Sequence, residues 1–289
     1  DFMLPILAGY IAYSIADRPG LAVGIVGGYI AKVGNSFANI SGENAVSGGF
    51  LAALLAGFVA GYLVLGIKKL ADKLPESMEG IKPVLIYPLF GVLLIGVFMF
   101  AVNPTMAAIN TGITSFLNSM GGSSKILLGC IVAGMMSIDM GGPFNKAAYV
   151  FGTASIASGN YDVMAAVMIG GMIPPLAVAL ATTFFKKKFT SEERKSGVVN
   201  YIMGLCFITE GVIPFAAADP LRVIPSCVAG SAVAGGLSML FGCTLRAPHG
   251  GIFVFPVVGN VVGYLIALAA GSLVGMLLLG VLKKDKVAE

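Results

Sequence analysis

The sequence is poor in charge, in histidine and in tryptophan. Only 11% of its 289 residues are charged, whereas about 25% are charged in an ordinary soluble domain. There is one histidine and no tryptophan. A single histidine argues against a zinc site made of cysteine and histidine ligands, and we expect no metal and no cofactor. The low charge argues against a soluble protein.

Signature motifs of several enzyme classes are also missing. The chain has no P-loop, no H-E-x-x-H, no G-x-S-x-G and no dinucleotide-binding glycine fingerprint. This excludes nucleotide hydrolysis and a recognisable nucleophile of its own. The net charge of +4 reflects clustered lysines and does not indicate nucleic-acid binding. The four cysteines form no C-x-x-C pair and are interpreted as buried small hydrophobic residues: Cys130, Cys206, Cys227 and Cys243.

Long apolar runs are what the sequence has in abundance. Hydrophobic residues make up 57% of the chain, and the mean hydropathy is +0.93. Four runs approach the roughly 20 residues that cross a bilayer as a helix: 48–67, 83–102, 162–185 and 261–282. The fold class predicted is an all-α polytopic membrane protein, a transmembrane helix bundle. Among its 40 glycines, Gly57 and Gly61 have the small-xxx-small spacing of close helix packing.

The chain starts with Asp1, and its first apolar segment, 2–16, is short for a full span. We therefore expect a fragment whose earlier membrane segments are missing. No stretch outside the membrane is long enough for a soluble domain, so residues 1–289 are predicted to form a single transmembrane domain.

Lysine clusters predict the orientation of the spans. They follow apolar runs at Lys68, Lys69 and Lys73, at residues 186–188, and at Lys283, Lys284 and Lys286. By the positive-inside rule all three clusters are cytoplasmic, which requires an even number of crossings between successive clusters. The C-terminus is then cytoplasmic.

Three stretches combine proline, glycine and polar residues with apolar surroundings. Residues 125–152 contain D-M-G-G-P-F-N-K, residues 208–225 contain three prolines, and residues 244–256 read TLRAPHGGIFVFP. Irregular backbone persists at membrane depth only where protein or a water-filled cavity satisfies it, so these stretches predict broken or re-entrant segments around a central binding site. The mixed segment 104–120 is predicted to lie in the membrane interface or to pack sideways.

Glu210 and Asp219 are acidic residues in this apolar context. A carboxylate at the bilayer centre costs about 2.5–3.5 kcal/mol, so Glu210 needs either a function or a partner such as Arg222 or Arg246. Asp219 precedes Pro220 and has two open roles, the N-cap of a helix with Pro at its first position and direct contact with a solute.

Two further polar groups are candidates for the same site. His249 is the only histidine and lies beside Pro248 and two glycines that permit close approach of a ligand. Its imidazole can donate, accept and transfer a proton near neutral pH. Asp17 and Arg18 stand in D-R-P-G, which is either an extramembrane turn or part of the lining of the cavity.

Four stretches together resemble a known family: AYSIADRPG (12–20), DMGGPFNKAAY (139–149), ITEGVIPFAAADPLRVIP (208–225) and RAPHGGIFV (246–254). The chain is similar to the fructose-type membrane subunit, enzyme IIC, of the bacterial phosphoenolpyruvate-dependent sugar phosphotransferase system. The resemblance covers essentially the whole chain. In the wider glucose-type superfamily of these subunits, a glutamate of a G-I-T-E-like motif and a histidine bind the hydroxyl that is phosphorylated. The glutamate matches Glu210, with Phe207 where glycine might stand, and the histidine matches His249.

The resemblance implies the membrane component of a protein-phosphohistidine–sugar phosphotransferase in the bacterial cytoplasmic membrane. Fructose is carried inward and phosphorylated from a cysteine of a cytoplasmic IIB domain, which is itself served by a IIA domain, and the subunit is a homodimer. Glu210 and His249 are the catalytic residues expected. The substrate-binding set adds Thr209, Gly211, Asn145, Asp139, Phe215, Asp219, Arg222, Asp17, Arg18 and Pro248. A sugar-stacking ring would come from Phe144, Tyr149, Phe215 or Phe253, although such rings more often pack between helices.

Three other interpretations stay open. One is an ion-coupled or facilitative sugar transporter without phosphotransfer, in which Glu210 or Asp219 carries a proton. Another is a structural or receptor-like membrane protein whose acids only pair with arginines. The third is a IIC subunit for a mannose-containing sugar.

Overall fold

The structure, a computed structural model, describes residues 2–119 and 122–285. Lys286 of the last lysine cluster and Met120 of the mixed segment lie outside them. The chain divides into two compact units, Asp1–Asn118 and Ser119–Glu289. Within the described residues, five helices are long and apolar enough to cross a membrane: Gly49–Ala71, Lys82–Phe116, Asp162–Phe184, Pro220–Leu240 and Val261–Leu282.

The described part of the first unit has four α-helices: α1 (Met3–Ala16), α2 (Arg18–Val33), α3 (Gly49–Ala71) and α4 (Tyr87–Ser119). A 3₁₀ turn over Glu76–Met78 and a π-helix over Lys82–Ile86 lead into α4. Small residues set the packing of the α-helices. A Cβ atom on Gly57 would lie 2.9 Å from the carbonyl oxygen of Ala8, and one on Gly61 would lie 2.7 Å from Cβ of Ile15. The predicted glycine packing is thus confirmed, between α3 and α1. The short 2–16 segment is the 14-residue helix α1.

Residues 104–119, part of the segment predicted to lie in the membrane interface or to pack sideways, continue the preceding apolar run as one helix. The helix α4 continues from Tyr87 to Ser119 with Pro104 inside it. Proline lacks one amide donor, but in an otherwise helical sequence this loss did not end the helix. Asn103, next to the proline, donates from Nδ2 to the carbonyls of Ile30 and Asn35, which fixes α4 at this level.

The second unit contains the remaining helices: α5 (Gly122–Met135), α6 (Pro143–Ala157), α7 (Asp162–Phe184), α8 (Ser191–Leu205), α9 (Ile213–Ala218), α10 (Pro220–Leu240) and α11 (Val261–Leu282). Helix α7 lies at the centre of this unit. The buried share of its most apolar stretch is 94%, compared with 50% for α10 and 44% for α11. Positions along α7 therefore serve to locate the other elements of this unit.

Helices α5 and α6 form a helical hairpin along the first half of α7, which we call the first hairpin. Lys125 pairs with Asp162 at 3.2 Å, and Ala133 lies against Gly170, so α5 follows α7 in the same direction. Gly152 of α6 lies against Met164 and Val167, so the chain returns. The tip of the first hairpin, residues 136–142, lies at the middle of α7. The break predicted within 125–152 is confirmed, and it lies between Met135 and Pro143.

Helices α8 and α9 form the second hairpin, along the other half of α7. Gly197 lies against Thr182 and Gly204 against Leu176, so α8 runs antiparallel to α7. The tip of the second hairpin, residues 206–212, includes a 3₁₀ turn over Glu210–Val212. The chain then returns to Asp219, which pairs with Lys283 at 3.5 Å beyond the end of α11. The two hairpins thus approach the middle of α7 from opposite ends.

A two-stranded ribbon was not predicted. Strands β1 (Thr244–Leu245) and β2 (Val258–Gly259) pair antiparallel, and they close a loop that contains residues 246–250 and a 3₁₀ helix over Gly251–Val257. We call residues 246–250 the His249 loop. The expected all-α fold therefore carries one small ribbon, too short to be signalled by alternating hydrophobicity.

Proline is used differently at its three positions near α10. Pro214 and Pro220 stand in the first turns of α9 and α10, where no amide donor is needed, so the predicted breaks there are confirmed. The break at Pro225 is wrong, because α10 passes through it. The carbonyl it leaves without a donor belongs to Leu221 in the first turn, which is 86% exposed.

Candidate functional site

The tips of the two hairpins and the His249 loop meet around the ring of Phe207. This ring is buried and lies on Gly171 of α7, where a Cβ atom would be 2.3 Å away. Its centroid is 5.1 Å from the imidazole of His249, in an edge-on arrangement, and 6.3 Å from the ring of Tyr149. Phe207 has a φ of +63°, a left-handed conformation that glycine adopts more readily. The phenylalanine that stands in place of glycine in F-I-T-E therefore has a strained backbone, and its ring packs against its neighbours.

Glu210 lies at the tip of the second hairpin with its carboxylate unpaired. The residue is exposed, and within the described part of the chain it makes no hydrogen bond and no ion pair. The two predicted partners are engaged elsewhere: Arg222 with Asp219, and Arg246 over the ring of Tyr161 at 4.9 Å. The carboxylate is therefore free to accept a hydrogen bond or a proton from a ligand.

Gly141 of the first hairpin faces this carboxylate. A Cβ atom on Gly141 would lie 2.9 Å from Oε1 of Glu210, so no larger residue fits without displacing the acid. Gly141 also has a φ of +114°, which glycine alone adopts readily. The backbone of the tip of the first hairpin thus forms one wall of the space around the Glu210 carboxylate.

Asp139 and Asn145 shape that wall. Both carboxylate oxygens of Asp139 accept amide hydrogens at the start of α6, from Phe144 at 2.6 Å and from Asn145 at 3.0 Å. This is helix capping, which suits a carboxylate at the positive end of a helix. Asn145 is buried and donates from Nδ2 to the carbonyl of Met136 at 2.8 Å. The structure therefore uses both predicted binding residues within the tip itself.

Gly251, the residue that follows the His249 loop, lies against the start of the tip of the second hairpin. A Cβ atom on Gly251 would lie 2.1 Å from the carbonyl oxygen of Leu205, so the backbone that follows the His249 loop is in contact with the end of α8. The imidazole of His249 is exposed and faces Phe207, three residues before Glu210. The ribbon holds this loop in place, and the amide of Leu245 donates to the carbonyl of Tyr161.

Asp219 and Arg222 lie away from this meeting point, at the base of the second hairpin. Asp219 is the N-cap residue of α10 but makes no capping hydrogen bond with its side chain, so the predicted carboxylate cap is wrong although the position is right. Its oxygens accept from Nη1 of Arg222 at 3.1 Å, and Nζ of Lys283 lies 3.5 Å away. The side chains of Arg222 and Lys283 both reach the Asp219 carboxylate, which pairs with these two cations and does not cap α10.

The other predicted residues fall into four groups. Thr209 is buried beside Glu210, and Gly211 and Pro248 are part-buried in their loops. Phe215 is 2% exposed and packs edge-on against Phe189, so its ring is a core residue and offers no open face. Asp17 and Arg18 form the exposed turn between α1 and α2 in the other unit. Phe144 and Phe253 are exposed rings.

Sequence analysis missed two residues that the structure places here. Gly141 contacts Glu210, and Asn200 of α8 lies against Gly211. Glycine in D-M-G-G-P could have been recognised as a close-approach residue, whereas nothing in SGVVNYIMG distinguishes Asn200. Among the residues that the structure describes, no group of three or more His, Cys, Asp or Glu side chains could hold a metal ion.

The helices and this site define a multi-pass helical membrane protein whose polar residues gather where opposed hairpins meet. Residues 1–230 match the family described as phosphotransferase system, EIIC. Curated relatives are similar over nearly the whole chain. A PTS system fructose-specific EIIABC component of Bacillus subtilis (strain 168) is 52% identical over 98% of this chain and 43% of its own length. A fructose permease IIC component of Bacillus amyloliquefaciens is 51% identical over 98% of this chain and 89% of its own.

A further relative, the PTS system fructose-specific EIIB'BC component of Escherichia coli (strain K12), is 46% identical over 99% of this chain and 49% of its own length. The chain thus spans about half the length of these multi-component relatives or less. No solved structure matches. The chain belongs to the phosphotransferase system EIIC family, as the resemblance predicted.

Proposed function

We propose that this chain is the sugar-translocating IIC subunit of a phosphotransferase system and that its substrate is fructose. The observation that carries the proposal is the Glu210 carboxylate, exposed, unpaired within the described residues and placed where the two hairpin tips meet. The carboxylate is exposed and has no partner among the described residues, and acids within membrane segments are functional candidates, so we infer that it binds a ligand. The names of the relatives support fructose as that ligand.

The reaction follows from the groups present. The sugar hydroxyl donates a hydrogen bond to the Glu210 carboxylate and loses its proton to it as the hydroxyl oxygen attacks phosphorus. The S–P bond of a phosphocysteine breaks, and sulfur leaves as the thiolate. The exposed imidazole of His249 orients the same hydroxyl. Asn145 and Asp139 keep the first hairpin tip beside the sugar, and Thr209 and Gly211 carry the Glu210 turn. Asp219 and Arg222 contribute through the base of the second hairpin.

The phosphocysteine belongs to a partner. None of the four cysteines here is exposed, whereas a phosphoryl donor has to be an accessible, activated thiolate. Relatives named EIIABC and EIIB'BC support cytoplasmic IIA and IIB domains as the donors. The subunit is proposed to act as a homodimer.

The membrane arrangement follows from the lysines. Two candidate spans separate each pair of successive clusters, the even number that a shared cytoplasmic side requires. In the second unit, Nζ of Lys188 pairs with Asp285 at 3.3 Å, which keeps two clusters at one end. We therefore propose a cytoplasmic C-terminus in the bacterial inner membrane, and two re-entrant hairpins, the first from outside and the second from the cytoplasm. Residues 1–289 are proposed to act as one transport domain.

Transport in proteoliposomes tests the function. The purified chain is reconstituted with IIA and IIB domains and the phosphoenolpyruvate-dependent donors, and labelled fructose is supplied outside. The proposal predicts accumulation of fructose phosphate only, and none without phosphoenolpyruvate. Accumulation of free fructose driven by a proton gradient would instead indicate an ion-coupled transporter.

Substrate choice needs its own measurement. Thermal unfolding of the purified chain is followed with fructose, mannose and mannose-containing disaccharides at equal concentrations. Fructose is expected to raise the unfolding midpoint most, because ligands stabilise the state that binds them. A larger shift with a mannose-containing sugar would transfer the proposal to that substrate.

A further inference from the structure

Asn200 is a buried polar residue without a partner. It lies on α8 and is 1% exposed, and neither Oδ1 nor Nδ2 makes a hydrogen bond within residues 2–119 and 122–285. An amide left in this state costs about 1–3 kcal/mol. Buried polar groups without partners are few in folded proteins, and each calls for a physical explanation.

Asn200 lies directly under the residue that follows Glu210. A Cβ atom on Gly211 would be 2.2 Å from Oδ1 of Asn200, so the amide oxygen touches the Gly211 backbone. Within the 3₁₀ turn, the amide of Val212 donates to the carbonyl of Thr209 at 3.2 Å. It is the first amide of this turn that has an acceptor. The described contacts give the Gly211 amide no acceptor. An unpaired acceptor and an unpaired donor therefore lie side by side at this turn.

Two other buried asparagines show what this residue type does elsewhere in the chain. Asn145 donates to the carbonyl of Met136, and Asn103 donates to the carbonyls of Ile30 and Asn35. Asn145 thereby holds the tip of the first hairpin to α6, and Asn103 holds the end of α2 and the residue Asn35 beyond it to α4. Asn200 is placed in the same way, between a helix and a loop, but its bond to the loop is not made.

We propose that Asn200 is a positioning residue for Glu210. With sugar bound, the Gly211 amide donates to Oδ1 of Asn200. Because Glu210 and Gly211 share a peptide unit, this bond fixes the direction in which the Glu210 carboxylate points. The role rests on the proposed function of Glu210, since Asn200 acts only through it.

Asn200→Leu tests the proposal, because leucine has similar size and cannot form the bond. In the reconstituted phosphorylation assay, kcat should fall about tenfold or more, since misplacing a reacting group by 1 Å costs about a hundredfold. KM for fructose should change little. The unfolding midpoint should stay the same or rise, because an unpaired buried amide is removed. A merely structural role gives the opposite result, a lower midpoint with kcat unchanged, and that result overturns the proposal.

Ser272→Ala is the matched control. Ser272 of α11 is another buried side chain with no partner in the described residues, and its variant should keep the kcat of the original chain. If the unaltered chain does not phosphorylate fructose, the proposed function fails. If it does and Asn200→Leu is equally active, only the role of Asn200 fails.

Amide exchange in the unaltered chain gives a second test that does not depend on a variant folding. Saturating fructose should slow hydrogen exchange at the Gly211 amide, measured by mass spectrometry on peptides that cover residues 207–212. Exchange at this amide that is the same with and without fructose overturns the proposal.

Discussion

Gly251→Ala is expected to move the His249 loop away from the tip of the second hairpin, which carries Glu210. The new Cβ atom would lie 2.1 Å from the carbonyl oxygen of Leu205 and 2.8 Å from the carbonyl carbon of Cys206. Carbon and oxygen approach one another comfortably at about 3.3 Å. Both obstacles are backbone atoms, which cannot rotate away as a side chain can, so the two loops have to move apart by about 1 Å.

The size of the effect follows from that displacement. A shift of 1 Å at a catalytic group lowers the rate about a hundredfold. Alanine at the φ of +55° found at Gly251 adds a cost of about 1–2 kcal/mol in stability. We therefore expect fructose phosphorylation with IIA and IIB domains to fall about a hundredfold in kcat/KM.

Gly242→Ala separates the two causes. Gly242 has a similar φ, +63°, and a Cβ atom there meets nothing within 4 Å, so only the conformational cost applies. This variant should lose comparable stability, measured as the unfolding midpoint, and keep its kcat/KM. Equal activity losses in the two variants would refute the reasoning that contact between the loops positions His249.

Three further changes have defined outcomes. Asp219→Asn should lower the unfolding midpoint more than Lys283→Met. It leaves the buried Lys283 ammonium without a counter-charge and with only its contact to the Phe189 ring, whereas Asp219 without Lys283 keeps Arg222; the reverse order would contradict the ion-pair interpretation. Phe207→Leu should reduce kcat about two- to tenfold, since the ring contact with His249 is worth about 0.5–1.5 kcal/mol, and an unchanged kcat would remove Phe207 from the site. Replacing all four cysteines with alanine should leave phosphorylation intact, because none of Cys130, Cys206, Cys227 and Cys243 is exposed and burial raises the pKa of the Cys243 thiol. A variant that folds but does not support phosphorylation would contradict this prediction.

Sequence predicted the long helices well because their signal is local. The runs at 162–185 and 261–282 agree with α7 and α11 within one residue, since hydrophobic length alone marks a span. Prolines misled where their position in the helix decides the result. Pro225 and Pro104 lie inside helices, whereas Pro214 and Pro220 lie in the first turn of a helix. The effect of a proline can be predicted only when the bounds of its helix are known.

For the candidate site, the sequence indicated residues of which the structure brings only some together, and it did not indicate how their side chains are used. Asp139 and Asp219 are both acids in turns, yet one caps α6 and the other pairs with two cations. That difference depends on which groups the fold brings within reach. Asn200 and Gly141 were missed for the same reason, since they matter through contacts with Gly211 and Glu210 that are distant in sequence.

The central claim is that the Glu210 carboxylate accepts the proton of the sugar hydroxyl during phosphoryl transfer. Single-turnover transfer from phosphorylated IIB domain to fructose tests it, with the original chain compared with Glu210→Gln. General-base catalysis contributes about 10²–10⁴-fold, so the variant should lose at least about a hundredfold in the transfer rate. Its unfolding midpoint should be unchanged, because an exposed carboxylate without a partner contributes little to stability. A transfer rate within about twofold of the original, far below the loss of a general base, would contradict the claim.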